Sequence, residues 1–378
     1  MSAENFNTGK RATTGSSAVA AMSSVHTSVP RRKASVTDHF ATDHLLTNLG
    51  GRTVSSGFVT ALTQGAQITL NLVSIMVLAR LLTPHDFGLV AMVTTITGFL
   101  WIFNDAGLST ATVQREEITH AQVSNLFWTN VALGGTMSLI LAVSARAVAW
   151  FYREPQLVGI TSALCVTFLL TSLAVQHLAI LKRRMHFKLI AFIRLTSIAM
   201  GVIVGISMAW LKCGYWSLVG MQLSAPVAAL LLTWWKSPWR PQLPTRCCEM
   251  RPLLTFGANL TATSFLWQLA RGSDGLLIGR LYGAVSLGFY SRAANLVDRP
   301  MQQLMAPIEA VIVPTLSRLQ FQAERYRRIT LKVYDSIAVI CFPFSALLLG
   351  LAQPLTLVVL GPRWESAAAI FAGRLVLG

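Results

Sequence analysis

The sequence predicts an all-α, polytopic membrane protein. Three observations carry the prediction. Apolar runs long enough to cross a bilayer core as helices recur from about Val54 to the C-terminus. Only 12% of the 378 residues are charged and 53% are hydrophobic, with a mean hydropathy of +0.55. A soluble domain carries roughly 25% charged residues. The charges that are present concentrate in the connectors between runs, as they must when the bilayer is the solvent.

Residues 1–52 come first and read as a disordered basic tail. The first 36 are rich in Ser, Thr and Ala and hold five Lys or Arg against one acid, Glu4. Phe40, Leu45, Leu46 and Leu49 fit a short helix along the membrane surface over 39–49. Nine complete spans are expected, near 54–79, 86–104, 124–145, 157–180, 189–211, 215–235, 255–279, 285–313 and 329–351. A tenth apolar run, 366–378, stops after 13 residues. A span needs about 20, so the chain is expected to be a piece of a longer protein.

An internal repeat organises the spans. Leu78-Ala79-Arg80-Leu81 precedes Phe87-Gly88-Leu89, and 200 positions later Ile278-Gly279-Arg280-Leu281 precedes Leu287-Gly288-Phe289. Span one then matches span seven, and a unit holds six helices. An even number leaves both units in the same orientation. Two parallel, pseudo-symmetric six-helix lobes are expected, 53–250 and 251–378, the second truncated, as in many transporters.

The net charge of +16 is a topology signal rather than a nucleic-acid footprint. With the N-terminus in the cytoplasm, the inner flanks carry eighteen Lys and Arg, clustered at 31–33, 182–188, 236–251 and 318–332. The outer flanks carry six: Arg80, Arg146, Arg153, Lys212, Arg280 and Arg363. Cytoplasmic loops are the basic ones, and anionic lipid headgroups are the natural partners of such clusters. Cys165, Cys213, Cys247, Cys248 and Cys341 match neither a disulfide framework nor a metal site.

Polar stripes within the spans are the candidate functional residues. Span one carries Thr60, Gln64, Gln67, Asn71 and Ser74 at steps of 4, 3, 4 and 3, which is one helical face. Span seven repeats the rhythm with Thr261, Ser264, Gln268 and Arg271. Span eight carries Arg292, Asn295, Arg299, Gln302 and Glu309 on one face, flanked by Asp298, with Pro300 and Pro307 interrupting the helix. A charge at a span centre costs roughly 2.5–3.5 kcal/mol on insertion scales. These residues therefore pair, reach an interface, or line a water-filled cavity between the two first helices. For the amides the competing reading is interhelical hydrogen bonding. Arg271 and Asp274 neutralising each other at i, i+3, and Asp298 against Arg299, are the competing readings for the charges. Arg194 reads as a snorkelling residue, and Gln176 and His177 as packing. A cavity of guanidinium forks and amides suits a phosphorylated, sugar-like headgroup.

No Walker A, HExxH, GxSxG or clustered Cys/His pattern is present, and no connector between spans is long enough for a soluble catalytic domain. The expectation is a non-enzymatic protein without cofactor or metal.

The run from Leu78 to Leu89, LARLLTPHDFGL, resembles the polysaccharide transporter family, as do Asp105 to Gln114 and Leu126 to Asn130. Leu287 to Ala293, Pro314 to Ser317 and Leu360 to Trp364 are similar to it too. These are lipid-linked oligosaccharide flippases of the multidrug/oligosaccharidyl-lipid/polysaccharide superfamily, including O-antigen, lipopolysaccharide and exopolysaccharide exporters. The similarity covers about 52–378; residues 1–50 have no counterpart in it. The resemblance implies a bacterial inner-membrane flippase working by alternating access. Undecaprenyl-diphosphate-linked oligosaccharide would be the substrate, with polysaccharide polymerase and export proteins as candidate partners. Arg271, Arg292 and Arg299 are then expected to attract the diphosphate. Gln64, Gln67, Asn71, Gln268 and Gln302 would contact sugar hydroxyls, and Asp274, Asp298 or Glu309 would couple transport to protons. The alternatives are a cation-coupled multidrug exporter and a membrane-bound glycan polymerase or transferase. Drug exporters of the superfamily favour an acid in their first helices; here no Asp or Glu lies between Asp43 and Asp86.

Overall fold

A computed structural model describes residues 49–105, 107–114, 118–244, 251–319 and 322–377. The tail 1–48 with its expected surface helix, Cys247 and Cys248 lie outside the described residues, as do the side chains of Arg271 and Glu309. Twelve helices follow one another and no strand occurs among the described residues. They are α1 Leu49–Leu81, α2 Pro84–Asp105, α3 Leu108–Gln114, α4 His120–Tyr152, α5 Leu157–Leu164 and α6 Val166–Arg183. Then come α7 Phe187–Trp210, α8 Trp216–Lys236, α9 Arg251–Arg318, α10 Ala323–Gly350, α11 Ala352–Val359 and α12 Glu365–Leu377.

Among the described residues, seven stretches are long and apolar enough to cross a membrane: Val59–Leu81, Pro84–Thr110, His120–Tyr152, Leu157–Arg183, Phe187–Trp210, Trp216–Lys236 and Ala323–Gly350. These correspond to expected spans one to six and nine. Expected spans seven and eight are joined in α9, which is outside that set. α9 is 68 residues long and leaves helical geometry once, at Gly283 (φ 80°, ψ −176°). Glycine reaches that conformation because it has no Cβ. The interruption expected at Pro300 and Pro307 is absent; both prolines sit in a backbone that keeps helical angles. Lost proline hydrogen bonds are tolerated where neighbouring groups satisfy the freed carbonyls.

Successive spans alternate in direction, so the loops after α1, α4, α7 and the bend of α9 gather at one rim. His85 Nε2 lies 4.0 Å from Glu154 Oε1 there. The Arg80 guanidinium donates to the Val358 carbonyl at 3.1 Å. Exposed Trp150 and Trp210 end α4 and α7 at this rim, and Trp101, Trp128 and Trp235 mark the opposite one. Tryptophan belts of this kind mark the two membrane–water interfaces.

The largest buried cluster lies at the first rim and includes Leu78, Ala79, Phe87, Leu89, Leu287 and Trp364. It is shut by close backbone contact. A Cβ on Gly88 would collide with the Ala284 carbonyl oxygen, and one on Gly288 with the Pro84 carbonyl oxygen. Under the 200-residue offset, 84 maps to 284 and 88 to 288, so each contact is the exchanged copy of the other. A local two-fold produces that reciprocity.

Below this junction the symmetry fails. α2 packs along the first arm of α9: Thr95 reaches Gly275, Phe99 reaches Gly272 and Gln268 reaches Gly98. The counterpart seam would run α1 along the second arm of α9. α1 packs on α7 instead and meets α9 marginally at most. One seam is closed and its counterpart is not.

Candidate functional site

Arg292 sits where the unclosed seam meets the shut rim. It lies about two and a half turns into the second arm of α9, past the bend at Gly283, and its side chain faces α1, α2 and α8. Its guanidinium stacks on the Phe87 ring, 4.8 Å from the centroid. The residue is half-buried, and its Nε is buried with no hydrogen-bond partner. A cavity of about 100 Å³ opens beside it, lined by Ser74, Leu78, Phe87, Thr94, Met221 and Gln222 among others. Ser74 Oγ contacts Met221 Sδ at 3.5 Å, and Thr94 donates to the Ala91 carbonyl at 3.1 Å.

The energetics single this residue out. Cation–π stacking returns about 0.5–2 kcal/mol. An incompletely paired charge away from bulk water costs several kcal/mol. Phe87 alone does not offset the burial, so water or an anion completes the site. About 100 Å³ holds roughly three waters and no sugar ring. In this conformation the cavity can take a small oxyanion group at most.

The rest of the span-eight stripe continues away from the rim. Asn295 donates to the Ser291 carbonyl at 2.6 Å and accepts from Arg299 Nε at 3.3 Å. Arg299 and Gln302 are exposed. The stripe thus runs from a half-buried guanidinium to an open one along a single helix face.

The structure divides the other candidates. Gln64, Gln67 and Asn71 are half-buried on α1, and Gln67 Oε1 is buried without a partner; of their stripe, Ser74 reaches the cavity. Gln268 packs between Gly98 and Gly272 at the closed α2–α9 seam, outside that cavity lining.

Asp274 and Asp298 are drawn together by a residue that sequence reasoning missed, Arg374 of α12. Arg374 donates to both Asp298 oxygens, at 3.3 and 3.1 Å, and lies 3.7 Å from Asp274. It also donates to the Tyr290 hydroxyl, which donates onward to Asp274 at 2.8 Å. In place of the competing reading, Asp298 against Arg299, the structure shows a clamp of α12 on both arms of α9. Arg374 carried no periodic signal, because it stands alone in the last apolar run. Gln176 and His177 meet their expectation as packing residues. Thr112 donates to Gln176 at 2.9 Å, and the buried His177 ring lies 4.8 and 5.0 Å from the Trp234 and Trp239 rings.

A family model described as "polysaccharide biosynthesis protein" matches residues 77–369. The chain belongs to that family. It is 26% identical over 337 residues to the lipopolysaccharide biosynthesis protein WzxC of Escherichia coli K12, covering 88% of this chain and 68% of that protein. It is 26% identical over 322 residues to the teichuronic acid biosynthesis protein TuaB of Bacillus subtilis, covering 82% and 64%. It is 26% identical over 298 residues to the succinoglycan biosynthesis transport protein ExoT of Rhizobium meliloti, covering 79% and 60%. The chain thus spans about two thirds of the length of these relatives. Family and fold together make it a multi-pass membrane protein of the polysaccharide biosynthesis family.

Proposed function

We propose that this chain carries the translocation path of a flippase for lipid-diphosphate-linked oligosaccharide in polysaccharide export. The observation that carries this reading is Arg292: a guanidinium with an unpartnered, buried Nε at the head of an unclosed seam. Guanidinium forks suit phosphate oxygens. Arg299 and Gln302 extend the path toward the opposite rim, and Gln64, Gln67 and Asn71 offer amides for sugar hydroxyls from the facing helix. Arg271 joins the diphosphate-attracting set, and Gln268 the sugar-contacting set, on their sequence pattern.

Residues 53–250 and 251–378 act as the two repeats, a reading that the reciprocal Gly88 and Gly288 contacts support. The protein resides in a bacterial inner membrane with its N-terminus in the cytoplasm, which puts the shut rim outside. Undecaprenyl-diphosphate-linked oligosaccharide is the substrate, and polymerase and export proteins are its downstream partners. Asp274 and Asp298 serve as coupling groups through the Arg374 clamp, because a proton on either weakens that clamp; Glu309 belongs to the same set by sequence.

The test is genetic and chemical. A strain lacking the gene should accumulate lipid-linked glycan on the cytoplasmic leaflet. The wild-type gene should clear it, and Arg292→Gln should not, at equal protein level in the membrane. Normal clearance by Arg292→Gln refutes the assignment.

A further inference from the structure

A second basic feature lies at the shut rim, away from the Arg292 cavity. A groove of about 490 Å³ runs between the end of α4 and the bend of α9, lined by Arg146, Trp150, Arg153 and Arg280 with Pro155 and Val158. Arg146 and Trp150 are four apart, which puts them on one face of α4, and Arg153 follows as the cap that ends the helix. Arg280 approaches from α9 with its guanidinium 5.6 Å from the Phe151 ring centroid.

Two features set this cluster apart from an ordinary solvated face. None of the three arginines makes an ion pair among the described residues. The nearby acid, Glu154, faces His85 instead. The repeat supplies an internal comparison as well. Arg80, the counterpart of Arg280, is tied to the Val358 carbonyl, whereas Arg280 remains in an open groove.

The depth of the groove identifies the ligand chemistry. Trp150 is 81% exposed and marks the interface. Arg146 lies one helical turn deeper, roughly 6 Å along α4. Arg153, just beyond Trp150, lies at the headgroup layer where lipid phosphates sit, and the long Arg146 side chain reaches the same layer by snorkelling.

We propose that this groove holds the phosphate of a lipid headgroup at the membrane surface. Two sources share that chemistry: an anionic phospholipid of the bilayer, or a lipid diphosphate leaving the translocation path. The second source rests on the flippase reading.

The test uses the full chain in phosphatidylcholine nanodiscs. Fluorescent phosphatidylglycerol and a fluorescent farnesyl diphosphate are titrated separately, and binding is read by anisotropy. Each of Arg146→Gln, Arg153→Gln and Arg280→Gln should weaken binding about fivefold, and the triple variant about a hundredfold, from the usual contribution of one basic residue near an anionic surface. The triple Arg→Lys variant should retain most of the binding, and Lys212→Gln at the same rim should change nothing. Preference for the diphosphate assigns the groove to exiting substrate; equal or better binding of phosphatidylglycerol assigns it to a bilayer lipid. Unchanged binding of both probes by a triple Gln variant that melts like wild type overturns the inference. Because Arg292 is intact in that variant, such a result leaves the flippase reading standing. Failure of the Arg292→Gln clearance test, with groove binding intact, does the reverse.

Discussion

Gly88→Ala probes the shut rim directly. The added methyl group would overlap the Ala284 carbonyl and come within 2.9 Å of the Ala284 Cα. Ordinary contact begins near 3.4 Å and the carbonyl oxygen lies far inside that distance, so α2 and α9 must separate by more than about 1 Å. The obstacle is backbone, which cannot rotate away as a side-chain tip can. Overpacking of this kind costs about 1–3 kcal/mol, and the better helix propensity of alanine returns up to about 1 kcal/mol. The propensity gain is shared by shut and open states of the same helix, so the bias against the closed rim is about 1–3 kcal/mol, or roughly 5- to 150-fold in population. The assay is maleimide labelling of a thiol introduced by Ser74→Cys in the cavity wall, with the native cysteines replaced by serine and the protein in nanodiscs. Labelling should accelerate by that factor and the melting temperature should fall. Gly288→Ala should act with similar size through Pro84. The double variant should fall short of the sum, because helices already parted for one methyl group accommodate the second. Gly135→Ala has open space around its Cβ and should leave labelling unchanged. Unaltered labelling and melting in Gly88→Ala would refute the reciprocal-contact argument.

Trp364→Phe keeps a ring against Phe87 and Phe289 but removes the 2.9 Å hydrogen bond from its Nε1 to the Ala79 carbonyl. The buried acceptor left behind should cost about 1–3 kcal/mol, read as lower thermal stability and faster labelling at the same thiol. Arg374→Gln should destabilise the α12–α9 clamp, and Asp298→Asn should do the same. A double-mutant cycle should return about 1–2 kcal/mol of coupling, below the fully buried range because Asp298 is 40% exposed; zero coupling would mean that the clamp does not form in the membrane. Arg299→Ala should stop glycan export while protein level and melting temperature hold, since the side chain is exposed and its bond to Asn295 is long; normal export would remove Arg299 from the path.

Several features were legible in the sequence because they are local. An apolar run of span length forms a helix in lipid wherever it occurs, since no other conformation satisfies its backbone there. Spans one to six and nine follow from that rule alone. The polar stripe Arg292, Asn295, Arg299 and Gln302 was legible for the same reason: helical spacing is a property of a single segment. The motif around Arg80 and Gly88, with its copy around Arg280 and Gly288, announced a repeat.

What each copy touches was another matter. Sequence offset pairs Gly88 with Gly288 as equivalents; only the packed chain brings Gly88 to Ala284 and Gly288 to Pro84. Asp298 has Arg299 as its chain neighbour, yet successive side chains on a helix point about 100° apart, and Arg374, 76 residues away, takes the carboxylate. Gln268 and Arg292 were both candidate liners of a cavity by their spacing. Packing closed the α2–α9 seam over Gln268 and left Arg292 beside open space. Hydropathy and spacing determined which segments enter the bilayer and which faces of them are polar, because both depend on residues within one helix. Which polar groups are consumed by partners and which remain available to a ligand was decided by tertiary contact, because pairing in a low-dielectric interior depends on ångström distances between segments far apart in the chain.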